Sequence, residues 1–160
     1  MTNRGRTLRL GAACAVVAGG TAVAIVLAVG SPAEAAPTKA EYLAKVAAIC
    51  RVYGPRLDRV PPPGDIAIPG EIVTSVEKAL PILVAESRAV HGLRSPAELK
   101  AKLERWHELN DSALDELKRA LRLAREPDLG GMGVAYVRYV LTGAKAEKVG
   151  KAIGFPRPPC

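Results

Sequence analysis

The chain has 160 residues, of which 49% are hydrophobic and 24% charged, and it carries a net charge of +7. Only six aromatic residues occur (one Trp, four Tyr, one Phe). Base-stacking platforms need more than that, so nucleic acid is not the expected counterpart of the positive charge.

The leader comes first. Arg4, Arg6 and Arg9 precede an uncharged apolar run from Leu10 to Gly30, and Ser31-Pro32 and the small-residue triplet Ala33-Glu34-Ala35 follow it. Basic, apolar and small segments in that order form an export signal over residues 1–35. Cleavage is expected after Ala35, because a cut after Ala36 would set Pro37 beside the scissile bond. The apolar run is 21 residues long, close to the ~20 that span a bilayer. An uncleaved membrane anchor is therefore the alternative, although Gly19-Gly20 weakens the run as a helix. In either case the arginines stay in the cytoplasm and the remainder is extracytoplasmic, either secreted or membrane-anchored. Cys14 precedes most of the apolar run, which argues against a lipidated cysteine.

Residues 36–160 have the size of one domain with one core. They hold 20 basic and 15 acidic side chains, a net charge of +5. Outside the membrane the partners that suit this charge are an anionic membrane surface, another envelope component, or none. Two cysteines remain, Cys50 and Cys160. In an oxidising compartment an even count favours a disulfide, and two cysteines allow one pairing. A thiolate site is the rival, but neither cysteine has a Cys-x-x-Cys partner or a nearby histidine.

Thr38-Lys39-Ala40-Glu41 has the spacing of a capping box, and Tyr42, Val46, Ile49, Tyr53, Leu57 and Val60 recur behind it at helical intervals. Cys50 shares that face. Gly54-Pro55 predicts a kink rather than an end, and Pro61-Pro62-Pro63-Gly64 ends the helix. A second helix is predicted from Pro69-Gly70-Glu71 to Gly92, with Ile72, Val76, Leu80, Leu83, Ser87 and Val90 as its stripe and Pro81 inside it. Ser95-Pro96-Ala97-Glu98 predicts a third helix with Ser95 as cap and Pro96 at the first helical position. Its stripe is Leu99, Leu103, Trp106, Asn110, Ala113, Leu117, Ala120 and Ala124, and Pro127-Asp128 breaks it. Gly130-Gly131 opens a fourth helix. Its apolar face holds Met132, Tyr136, Tyr139 and Val140 before Gly143, and Ala146, Val149 and Ile153 after it. Those two faces do not align, which predicts a break near Gly143. Gly154-Phe155 is a helix stop, and Pro156, Pro158 and Pro159 extend a tail that returns Cys160 across the domain.

The expected architecture is thus all-α: an up-and-down four-helix bundle, its last helix broken near Gly143, closed by a Cys50–Cys160 disulfide. Three constellations could carry chemistry. Glu104, His107 and Asp111 lie on one flank of the third helix. They are the candidate metal ligands, set against a solvated charged flank with His107 edging the core beside Trp106. Asn110 interrupts the apolar stripe, either to select one register of the bundle or to line a ligand pocket. Arg138, Lys145, Lys148 and Lys151 make the last helix basic. It is then either a solvated face or a membrane-surface helix with Tyr136 and Tyr139 near the interface. No nucleophile elbow, Walker loop, dinucleotide fingerprint, His-Glu-x-x-His or haem-attachment motif occurs. No enzyme activity and no cofactor are expected.

Several features occur together: the leader, a capped first helix with the run Tyr42–Arg51 around Cys50, a proline-rich turn, Ala79-Leu80-Pro81, Pro96–Leu99, and Gly154-Phe155 before a terminal cysteine. In this the chain resembles the small exported all-helical proteins of unknown function found in high-GC actinobacteria, with one cysteine in the N-terminal helix and one at the C-terminus. The resemblance covers most of residues 36–160. It implies the bundle and the disulfide and transfers no catalytic residue. The expected function is a monomeric exported binding or structural module of the cell envelope, with a metal-binding bundle using Glu104, His107 and Asp111 as the alternative.

Overall fold

A computed structural model describes residues 36–126 and 128–156. The leader and its cleavage site, Cys14, Pro127 and the tail with Pro158, Pro159 and Cys160 lie outside the described residues. Four α-helices carry the chain: α1 (Lys39–Leu57), α2 (Pro69–His91), α3 (Lys100–Arg125) and α4 (Leu129–Ile153). A 3-10 turn at Ala97–Leu99 leads into α3. No strand occurs among the described residues, and the protein is an all-α helical bundle.

The capping box starts α1 as its sequence predicts. The Glu41 N–H donates to Thr38 Oγ1 at 3.2 Å, and the Thr38 N–H donates to Glu41 Oε2 at 2.8 Å. The Thr38 N–H and, at 3.0 Å, the Thr38 hydroxyl both donate to the Glu41 carboxylate and hold it below its ordinary value, the backbone N–H contributing most. Pro55 does not stop the helix, which runs on to Leu57 before the proline run takes over. In α2, Pro69 sits at the start, where its missing N–H costs nothing, and Gly92 caps the end.

The start of α3 differs from the expectation. Pro96, not Ser95, occupies the cap position, in an extended conformation (φ −63°, ψ 141°), and no side-chain cap bond is made there or at Leu99. The physical reason is burial. Pro96 and Leu99 are both drawn inside, and a tight 3-10 turn delivers Leu99 to the core where a regular first turn would not.

The expected break in α4 is absent: the helix is continuous from Leu129 to Ile153. Its start is a cap that the glycines disguised. Asp128 Oδ1 accepts from the Gly131 N–H at 2.9 Å. A β-carbon at Gly131 would collide with that carboxylate. At about 100° per residue, Met132, Ala135, Tyr139, Gly143, Ala146, Gly150 and Ile153 fall on one stripe, and all are buried or half-buried. Gly143 and Gly150 are members of the packing face, not interruptions of it. Val140, assigned to that face from sequence, is 50% exposed, which is why the two halves looked misaligned. The stop at Gly154 is as expected. Its φ of 105° needs glycine, and the Phe155 N–H bonds back to the Gly150 carbonyl at 3.0 Å.

Two core clusters follow. Tyr42 and Val46 of α1, Val90 of α2, Leu103, Trp106 and Leu109 of α3, and Ala146, Ile153 and Phe155 form the first, with Cys50 packed against it. Phe155 stacks on Tyr42 at 6.4 Å and meets Trp106 edge-on at 5.1 Å. Ile72, Val76, Leu117, Ala120, Leu121, Leu123, Met132 and Ala135 form the second, all from α2, α3 and α4. Thus the first half of α3 shares a core with the ends of α2 and α4, and its second half with their beginnings. α1 supplies no member of the second cluster. No described helix is long and apolar enough to cross a membrane.

Candidate functional site

Polar residues gather on the seam between α2 and α3. Ser87 is 5% exposed, and its Oγ accepts from Asn110 Nδ2 at 2.9 Å. That cross-helix bond satisfies the polar group that interrupts the α3 stripe, as expected of a residue that fixes one register. One turn on, His91 Nδ1 lies 2.9 Å from the Ser87 carbonyl oxygen and 3.3 Å from Ser87 Oγ. The Ser87 carbonyl can only accept whereas its hydroxyl can do either, so the tautomer of His91 decides which of the two contacts is the hydrogen bond. His91 Nε2 faces Asp111 Oδ2 at 3.4 Å. The His91 ring lies against His107 at a 35° tilt with centroids 3.7 Å apart, and Trp106 meets His107 edge-on at 5.1 Å.

His107 is half-buried, and its Nδ1 is buried with no partner among the described residues. Its pKa is lowered to about 4, first by burial and then by neighbouring His91, against the opposing pull of Asp111. At neutral pH it is an uncharged ring sandwiched between Trp106 and His91.

Serine, histidine and aspartate in contact invite comparison with a nucleophile, its base and an orienting acid. The geometry does not support that chemistry. Ser87 sits inside α2, where backbone N–H groups are used by the helix, so α2 offers it no backbone oxyanion donors. The metal set fares no better. Asp111 turns to His91, Glu104 is exposed, and no group of three or more potential ligands able to hold a metal occurs among the described residues.

A small cavity of about 50 Å³ lies where the two core clusters meet, lined by Leu83, Trp106, Asn110, Tyr139, Gly143 and Glu147 among others. It has room for a water or two rather than an organic ligand. The Tyr136 and Tyr139 rings meet at a 55° tilt with centroids 5.8 Å apart, and both pack against the second cluster. Burial raises the pKa of both, and Tyr139 also feels Tyr136 and Glu86. The two tyrosines therefore face inward, not toward an interface. Sequence reasoning missed Glu86, a carboxylate only 5% exposed in the inner row of α2. A polar residue one step from the stripe position Ser87 was the available signal.

The outer face of α4 is the opposite case. Leu129, Val134, Val137, Val140 and Leu141 are 47–58% exposed and share one side of the helix. Lys145, Lys148 and Lys151 continue that side toward the C-terminus, and Arg138 flanks it, 3.7 Å from Glu116 of α3. This row lies opposite the stripe that α4 turns to α2 and α3, on the outside of the bundle. No family model, curated protein or solved structure matches the chain.

Proposed function

We propose that the protein is an exported, non-catalytic helical module that works by binding, through the outer face of α4. One observation carries the reading. Of the large hydrophobic side chains left exposed among the described residues, most fall within Leu129–Leu141 of a single helix, whereas scattered singles are ordinary. The leader Arg4–Ala35 supports export, and the polar seam at Ser87, His91 and Asp111 offers no competing catalytic geometry.

In the same reading the helices run up and down and a Cys50–Cys160 disulfide closes the ring. Cys50 lies half-buried beside Pro156 in a groove that also includes Ala47, Arg51 and Gly54. Cys160 is four residue steps beyond Pro156, a span of up to ~13–14 Å of extended chain. The tail is thus already at the first helix when it leaves Phe155.

The test is the double substitution Val137→Asp, Leu141→Asp in the full chain expressed in its native envelope. Both side chains are exposed, so the thermal melt should be unchanged within ~1 kcal/mol. Fractionation should show the variant released from the envelope fraction, with the wild type retained. Equal retention of the two proteins would refute α4 as the binding face.

A further inference from the structure

We infer that the occupant of the outer α4 face is an anionic membrane surface. This rests on the proposed function and adds the chemistry of the partner. The face has two zones. From Leu129 to Leu141, about 18 Å of helix at 1.5 Å per residue, it presents Leu129, Val134, Val137, Val140 and Leu141. From Lys145 to Lys151 it presents Lys145, Lys148 and Lys151, all exposed. An apolar zone suits acyl chains, and long lysine stems can lie along the same boundary while their ammonium groups reach phosphate.

Charge decides between candidate occupants. Glu147 is the only acidic residue of α4, and it is ion-paired with Lys151. Near the start of the helix, Glu126 is engaged by Arg122 and Asp128 by its cap. A second copy of this chain would therefore offer Lys145 and Lys148 no uncommitted carboxylate from its own α4. A membrane rich in acidic headgroups offers many. The outside of a helix is convex, and the cavity that Gly143 lines lies on the inner side of α4, so the outer face suits a broad surface better than a small soluble ligand.

The test places an indole at the centre of the apolar zone, Val140→Trp, in the full chain. Trp106 is 4% exposed and supplies a constant background. The protein is mixed or reconstituted with vesicles of phosphatidylcholine alone, or of phosphatidylcholine with one third phosphatidylglycerol, each with and without brominated acyl chains. The expected result is a blue shift and bromine quenching at position 140 in the anionic vesicles, reversed by high salt. Lys145→Glu with Lys148→Glu should weaken the effect by about tenfold or more while leaving the melt unchanged. Emission that stays aqueous in both vesicles would overturn the inference. If Val137→Asp, Leu141→Asp still releases the protein from the envelope, the binding reading survives with a protein partner. If it does not, both fall. A blue shift without lipid, accompanied by a dimer in sedimentation, would assign the face to a second copy and equally overturn the inference.

Discussion

Gly143→Ala should stabilise the protein. From sequence alone Gly143 marks a break, and in the structure it sits within the continuous helix α4 and lines the central cavity. A β-carbon there would meet nothing within 4 Å. Replacing glycine by alanine inside a helix contributes about 0.8–1.0 kcal/mol. Burying one methyl adds up to ~0.8 kcal/mol, less here because Gly143 is half-buried. The sum is about 1–2 kcal/mol, a rise in Tm of roughly 3–7 °C for a domain of this size. Circular dichroism melts of wild type and variant measure it. Gly133→Ala is the control, since its β-carbon also meets open space but away from the cavity, so it should gain the helix contribution alone. Gly131→Ala should lose stability, because its methyl would displace the Asp128 cap. A Tm lowered by Gly143→Ala would mean that the glycine is needed for a bend or a closer helix approach, and the continuous packing stripe would be wrong.

Acid should weaken the fold through His107. Its folded pKa of about 4 lies below the ordinary 6.5, so the unfolded chain binds more protons between those values. Stability should therefore fall as the pH drops from about 6.5 to 4 and show no further loss from this group below that. For a half-buried ring the loss should be about 1–2 kcal/mol. His107→Gln should flatten that slope in urea titrations, and an unchanged slope would exclude His107 as its source. Tyr42 is fully buried, its hydroxyl has no partner among the described residues, and burial raises its pKa to about 12. Tyr42→Phe should thus be neutral or stabilising by up to ~1 kcal/mol, whereas a clear loss in the melt would reveal a bonded water. Cys50→Ser should lower Tm in non-reducing buffer by an amount that reduction of the wild type reproduces. The upper limit is about 4–5 kcal/mol for a loop of this length, and wild-type and variant melts that coincide would exclude the Cys50–Cys160 bridge.

Much of the fold was legible because its signals are local. The Thr38–Glu41 box, the proline run after Val60, Pro69 at the start of α2 and Gly154 at the end of α4 each act within one turn of chain. The errors arose where tertiary burial overrides local preference. Ser95-Pro96-Ala97-Glu98 reads as a cap until Pro96 and Leu99 must both be buried. Gly143 reads as a breaker because a residue without a side chain shows no hydropathy, yet a packing stripe can include it. The polar seam was half legible. Ser87 and Asn110 each stood in an apolar stripe, and pairing such positions across neighbouring helices would have brought them together. His91 follows Ser87 by one turn and His107 precedes Asn110 by nearly one, so the two imidazole rings come with them. The bare face of α4 was not legible, because Val140 reads as part of the packing stripe and Gly143 as outside it, so the outer row does not stand apart.

The most direct test of α4 as the working face is site-specific photo-crosslinking in intact envelopes. A photoactivatable side chain is placed at position 137, 141 or, as control, 105, which is exposed on α3 away from the patch. Adducts at 137 and 141 with few or none at 105, and lipid as the main species in their mass spectra, are the predicted result. Equal labelling at all three positions, or none at 137 and 141, would contradict it.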